Sequence, residues 1–445
     1  MQKPRLNFWQ IWNMSFGFLG IQFGWGLQMA NMSSIYTYLG ANPDKLAVLW
    51  LAAPITGVII QPLIGQTSDR TWCRLGRRRP FILAGAILAS LALILMPNCP
   101  SVWMAAGLLW VLDGTINASM QPFRALVADN LPEEQNSQGF AIQSLFIGLG
   151  GTVSSALPWM MTNWFGVAPG NTAGQVPQSV RLSFYIGAAA FMVAVLWTVF
   201  TTKEYPPTEA ELTVIRTRQF DWTLGLGDIL PLIFKLPRRM WELGLVQFFT
   251  WIGMFSMWVY FSPAVAKNIF HAAAGSPEME ASWAWSGFCF AAYNLVCFAF
   301  SFVLLWATEF TGPKLIHVLC LAIGGIGLAT VPLATEKHQL LLTMTAVGIA
   351  WSSILSMPYA MLAPALPKAK VGVMMGMFNL FIVLPQIASG SLLGFILKHF
   401  LHNEPANALV VGGASMCLAA LLILLVVSYQ GTRAELPSSP GGAAH

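Results

Sequence analysis

The sequence predicts an all-α membrane bundle, and three observations lead to it. Of 445 residues, 56% are hydrophobic and only 9% are charged, with a mean hydropathy of +0.63, a balance that soluble globular chains do not have. Apolar runs of about 18 to 25 residues, long enough to cross roughly 30 Å of hydrocarbon at 1.5 Å per residue, recur along the chain. The runs are continuous and lack the ten-residue alternation of outer-membrane strands, which leaves helices as the spanning solution.

Twelve spans follow in order, near residues 11–39, 46–67, 80–97, 101–130, 138–163, 180–202, 240–268, 282–308, 313–332, 338–364, 370–400 and 406–429. The first lacks a short apolar region followed by a small-residue cleavage site, so it reads as an uncleaved anchor. The second contains no acid, and the third opens on the RRRP cluster at 77–80. The fourth carries two charges, Asp113 and Arg124, inside a run that is otherwise apolar or mildly polar. The fifth and sixth complete a half. A polar segment at 203–239, the longest in the chain, then reads as a linker between six spans and six spans. The expected organisation is an N-terminal half at 1–202, the linker, a C-terminal half at 240–430 and a short tail at 431–445.

The distribution of Lys and Arg predicts orientation, because cytoplasmic segments hold more of them. With the N-terminus inside, seventeen of the 23 cationic side chains fall in inner segments: Lys3, Arg5, Arg70, Arg74, Arg77, Arg78, Arg79, Lys203, Arg216, Arg218, Lys235, Arg238, Arg239, Lys314, Lys368, Lys370 and Arg433. The outer loops hold Lys45, Arg181, Lys267, Lys337 and Lys398, and Arg124 stays within a span. Both termini are therefore expected in the cytoplasm, with the chain multi-pass in the cytoplasmic (inner) membrane. The net charge of +5 follows from this asymmetry and calls for no nucleic-acid partner. Six cysteines and six histidines are scattered without C-x-x-C or metal spacing, and the cysteines read as small buried hydrophobes. No Ser/His/Asp order, HExxH or phosphate loop is present, so neither an enzyme nor a metal or organic cofactor is expected.

The halves echo each other weakly. QPFRALVADNLP (121–132) and MPYAMLAPALP (357–367) place prolines 122 and 358 at an offset of 236 and prolines 132 and 367 at 235. That is the signature of a parallel six-plus-six duplication. Arg124 falls opposite Ala360, and the second half has no acid placed like Asp113, so charge is concentrated in the first half. The loop GQTSDRTWCRLGRRRP (65–80) resembles the G-x-x-x-D-R-x-G-R-R signature of the major facilitator superfamily, with five residues between Arg70 and Gly76 where the usual form has one. GIQFGWGLQMA (20–30), LGRRRPFIL (75–83), the LDGTIN to RALVAD run of the fourth span and GMFNLFIVLPQI (376–387) resemble its sucrose transporter-like group. That group is related to glycoside-pentoside-hexuronide cation symporters and to bacterial permeases for maltose and malto-oligosaccharides.

The resemblance implies roles. Asp113 and Arg124 match by position the intramembrane acid and arginine that such relatives use for proton coupling and sugar binding. Asp69, Arg70, Gly76, Arg77, Arg78 and Asp129 are the implied gate, with Asp69 capping or pairing with a neighbouring helix to close the cytoplasmic side. An aspartate that relatives often carry on the seventh span is replaced here, with Phe261 nearby, which points to a different sugar pose.

The residues argue in the same direction by themselves. Arg124 follows Asp113 by eleven residues, a rotation of about 1100°, so both share one helix face roughly 16 Å apart with Asn117 between them. A stripe of that length is too long for direct pairing and suits a bridging polyol. Charges at this depth cost at least about 2.5 to 3.5 kcal/mol each and are retained mainly for function. A sodium site needs several oxygen ligands, whereas a proton needs one titratable group, so a lone central carboxylate favours H⁺ as coupling ion. Polar residues at mid-span depth near aromatics complete the candidate cavity: Gln28 and Asn31 on the first span, Gln143 on the fifth, Trp251 (aligned with Gln247 and Trp258) on the seventh, Asn294 on the eighth, and Asn379 and Gln386 on the eleventh. Singly, such residues are more often interhelical hydrogen bonds.

The expected function is a monomeric, proton-coupled importer of a disaccharide, maltose or another α-glucoside first and sucrose next. The alternatives are an uncoupled facilitator or exporter of the same fold, and a non-transporting sugar sensor. A sensor of this kind needs a long signalling tail, and about 16 residues follow the last span.

Overall fold

The computed structural model describes residues 4–167, 176–205, 213, 236–273, 276–362 and 377–426. Most of the expected linker (206–212 and 214–235), the end of the tenth span, the start of the eleventh, the end of the twelfth and the tail lie outside the described residues, as do Lys3, Arg216, Arg218, Lys235, Pro367, Lys368, Lys370 and Arg433.

The described chain is helical. In the first half the helices are α1 (Phe8–Ser15), α2 (Gly17–Tyr38), α3 (Pro43–Leu49), α4 (Ala52–Asp69), α5 (Arg79–Leu95), α6 (Val102–Asn130), α7 (Glu133–Asn163) and α8 (Gln178–Thr201). In the second half they are α9 (Arg238–Asn268), α10 (Pro277–Ala329), α11 (Gln339–Leu362), α12 (Leu380–Phe400) and α13 (Pro405–Val426). The first two spans are each divided, at Phe16 and at Trp50–Leu51. Conversely, the expected eighth and ninth spans run on as α10, broken only at Gly312, whose φ of 74° favours glycine and is followed by Pro313. Pro122 and Pro358, the repeat markers, both lie inside helices, α6 and α11.

Ten helical stretches among the described residues are long and apolar enough to cross a membrane. The long helices α2 and α6 are absent from that set. Their polar residues, including Gln28 and Asn31 on α2 and Asp113, Asn117 and Arg124 on α6, dilute the apolar stretch. The two helices with weak membrane signals therefore hold the candidate chemistry.

In the first half α2 packs on α6, α7 and α8; in the second, α9 and α10 pack on α13, and α10 folds back on α11. The halves meet where α7 packs on α10, α3 on α12 and α2 on α9. One pole of the bundle carries Arg74, Arg77, Arg78 and Arg79 and is called the basic pole. At the opposite pole Gly390 and Gly394 of α12 lie against the backbone of Ala47 and Asp44, a closeness that excludes a β-carbon. Two hydrogen bonds between the halves lie near this pole: Ser33 Oγ donates to the Trp258 carbonyl at 3.3 Å, and Ser179 Oγ donates to Glu280 at 2.9 Å. Toward the basic pole, Arg124 and Asn379 are exposed.

Five cysteines are buried or half-buried, as expected of small hydrophobes; Cys73 is the exception, exposed in the loop of the basic pole. Among the described residues no His/Cys/Asp/Glu cluster could hold a metal.

Candidate functional site

Asp113 is fully buried on α6. Its Oδ1 accepts a 2.7 Å hydrogen bond from Gln28 Nε2 of α2, and its Oδ2 has no partner. No described cation forms an ion pair with it. A buried carboxylate with a single neutral donor is costly as an anion, and a proton or a ligand hydroxyl relieves that cost.

The Ser33–Trp258 bond fixes the register of α2 against α9 and sorts the candidates by depth. Gln28 lies about 7.5 Å from Ser33 toward the basic pole, and Trp251 about 10.5 Å from Trp258 in the same direction, so they come to similar levels on opposite sides of the interface. Asn31, one turn from Gln28, spends its Nδ2 on the Leu27 carbonyl of its own helix and leaves its Oδ1 unpartnered. Gln28 Oε1, both amide atoms of Gln247 and the Trp251 indole N–H are likewise buried without partners. Native interiors rarely leave so many polar atoms unsatisfied, and a hydroxylated ligand would supply what they lack.

Trp251, Trp258 and Trp351 form an aromatic cluster, with ring centroids 6.0, 5.7 and 5.5 Å apart, and Tyr293 lies 6.5 Å from Trp351. Asn294 faces Gly151 of α7 at the same interface, its Nδ2 bonded to the Phe290 carbonyl. Gln386 on α12 is half-buried about two turns above the exposed Asn379, which occupies the first position before the helix.

Asn117 ties α6 to α4: its Oδ1 accepts from Gln61 Nε2 at 2.6 Å, and its Nδ2 donates to the Asp113 carbonyl at 2.9 Å and to Thr56 at 3.4 Å. Gly150 of α7 lies against Leu19 and Gln22, which puts Gln143 some 20 Å below Gln28, at the level of Arg124. At that level Arg124 forms no ion pair among the described residues, and its charge faces the Tyr359 hydroxyl of α11. Asp113 is thus fully buried, whereas the Arg124 side chain keeps exposed surface.

The basic loop is built around two carboxylates and Glu204. Asp69 takes bonds from Arg77 at 2.8 Å and Arg78 at 2.6 Å, and Arg78 also reaches Asp129 at 2.8 Å and Ser68 at 2.6 Å. The additional residues between Arg70 and Gly76 fold into a turn closed by mutual backbone bonds of Cys73 and Gly76 at 3.2 and 2.9 Å. That turn returns Arg77 and Arg78 to Asp69. Gly76 adopts φ 102° with Glu204 pressed where a side chain would be. Glu204, assigned by sequence only to the linker, accepts from the backbone N–H groups of Arg77, Arg78 and Arg79 at 2.8, 3.0 and 3.0 Å and so caps α5. Glu204→Ala is expected to destabilise the fold by about 2–4 kcal/mol, since three donors lose a charged acceptor. Thermal unfolding in detergent checks this; an unchanged midpoint would dismiss the cap.

Sequence reasoning also missed Trp351, Tyr293, Gln61 and Tyr359. A tryptophan at the middle of the tenth span was a visible signal for Trp351; nothing in the sequence singled out the others.

The Major Facilitator Superfamily profile matches residues 14–384. Sucrose transport protein SUC4 of Arabidopsis thaliana is 26% identical, over 94% of this chain and 90% of its own length. Sucrose transport protein SUT5 of Oryza sativa subsp. indica is 25% identical, over 91% of this chain and 85% of its own. Among solved structures, the nucleoside transporter NupG superposes with a TM-score of 0.70 at 13% identity, covering 95% of this chain and 100% of that one, a likeness of fold.

Proposed function

Since the chain belongs to the Major Facilitator Superfamily, a family of transporters and not of enzymes, we propose that it is a proton-coupled symporter importing a disaccharide or small α-glucoside, maltose-like or sucrose, by alternating access. The observation that carries this reading is the Asp113 carboxylate, fully buried within α6 with one oxygen on Gln28 and the other unpartnered. The likeness to two sucrose transport proteins supports a sugar as cargo.

In this reading the basic pole and both termini are cytoplasmic, the protein works as a monomer in the inner membrane, and the closed pole is the outer one. A proton entering from outside neutralises Asp113, and sugar hydroxyls satisfy the unpartnered atoms of Gln28, Asn31 and Gln247. The tryptophan cluster offers flat apolar rings to the sugar's C–H faces, and Arg124 donates to hydroxyls at the lower end. Rocking of the halves then opens the basic pole, where the Asp69–Arg78–Asp129 cluster holds α4, α5 and α6 of the first half together as one body, and sugar and proton leave. Each charge moved through about 100 mV contributes roughly 2.3 kcal/mol, enough for about fiftyfold accumulation of a neutral sugar.

Sugar-induced alkalinisation outside proteoliposomes, across a panel of disaccharides, tests the reading. Uptake without proton movement would mark an uncoupled facilitator. Replacing Na⁺ by K⁺ or choline at fixed pH is expected to leave transport unchanged, because among the described residues no second carboxylate joins Asp113 in a group that could hold a metal ion. A clear sodium dependence of initial uptake rates would overturn that expectation.

A further inference from the structure

The closed pole contains a second carboxylate for which the symport reading has no use. Glu280, in the first turn of α10, is 3% exposed. Its Oε1 accepts the 2.9 Å bond from Ser179 of α8, a hydrogen bond that joins the halves, and its Oε2 is buried without a partner. The titratable and charged groups on the surrounding elements are few. Glu278 on the same helix is exposed, and Arg181 lies two residues beyond Ser179 on α8. Tyr38 of α2 packs edge-on against Trp283 at 5.3 Å, and Lys337 and His338 both lie 5.0 Å from the Trp285 ring. None of these cations pairs with Glu280: the described ion pairs all involve other carboxylates.

A carboxylate sealed at a seam with one hydroxyl donor and no cation is far less costly as a neutral acid than as an anion. Parting α8 from α10 would return both of its oxygens to water, where the anion is solvated. Closing and opening of this pole are thereby linked to one proton.

We propose that Glu280 is a second proton-binding site, on the seam between the halves, which takes a proton from the outer solution when the pole closes and returns it when the pole opens. The proton joins Oε2 and leaves to the same side, so Glu280 moves no charge across the membrane; it makes the conformational equilibrium depend on outer pH. The proposal rests on the alternating-access reading but not on the role of Asp113.

The test uses nitroxides on Asn163→Cys of α7 and His402→Cys beyond α12, with Cys73→Ser to remove the exposed native thiol, in an Asp113→Asn background that silences the central carboxylate. Electron–electron distance distributions in nanodiscs report the open and closed pole. Between about pH 5.5 and 8.5 the ratio of open to closed is expected to rise at least tenfold. Glu280→Gln, which keeps an oxygen for Ser179, is expected to abolish the shift and hold the pole closed, whereas Ser179→Ala, which keeps the carboxylate, retains the shift. Should the Gln variant not fold, Glu280→Ala reads the same loss of pH dependence. A pH-independent distribution in Asp113→Asn, or a shift that survives loss of the carboxylate, overturns the proposal. Failure of the symport reading looks different: wild-type protein would take up sugar without alkalinisation, whatever the pole does.

Discussion

Asp113→Asn is expected to abolish uphill sugar accumulation while leaving counterflow exchange measurable. The substitution keeps the shape of the side chain and an oxygen for the 2.7 Å bond from Gln28, so the contact of α2 with α6 is preserved. What it removes is the group that can gain and lose a proton. Without it the membrane potential has no charge to act on, and the accumulation ratio should fall from about fiftyfold at 100 mV to about one. Counterflow needs only the alternation of loaded states, and an amide fixed in the neutral form resembles the protonated carboxyl. Radiolabelled uptake into energised proteoliposomes gives the first quantity and exchange at zero gradient gives the second. Equal accumulation by variant and wild type would remove Asp113 from the coupling step, and loss of exchange as well would mean that its role is to hold the site together.

Arg124→Lys is expected to weaken sugar affinity by more than about tenfold, corresponding to loss of a charge-assisted bond of roughly 1.4 kcal/mol or more. Lysine keeps the charge but not the planar fork that serves two hydroxyls at once. The structure sharpens this expectation, because Arg124 has no ion pair among the described residues and lies exposed opposite Tyr359 of the other half. An arginine acting only through its charge on Asp113, some 16 Å along the same helix, would tolerate lysine and respond only to neutralisation. Tryptophan fluorescence or calorimetry at two pH values separates the two roles: unchanged affinity in Arg124→Lys refutes direct contact.

Asp113 shows how far a sequence can be read. Its depth, its solitude and the face it shares with Arg124 follow from helical geometry alone. That Gln28, 85 residues away, would be its donor was not legible, because helical periodicity gives a residue's face but not which neighbour packs there. The same limit explains Asn117, which meets Gln61 and Thr56, and Gln143, which sits at the level of Arg124. An amide in a span signals a polar contact; only the register between helices says with what. Glu204 failed for another reason: it lies just beyond a span, where a charge is ordinarily solvated, and becomes a cap only because Gly76 lets the loop press against it.

By itself the sequence determined the class of the molecule, the order of its helices and its superfamily. Those properties are set span by span, since each apolar segment of sufficient length is stable across hydrocarbon as a helix whatever its neighbours do. The tertiary structure alone decided which polar groups meet and which are left unsatisfied. It placed Trp351 with Trp251 and Trp258, closed the turn at Cys73–Gly76 so that Arg78 reaches both Asp69 and Asp129, and buried Glu280 against Ser179. Such contacts depend on rotation, tilt and axial register between helices, which close packing of small residues fixes and which no single helix encodes.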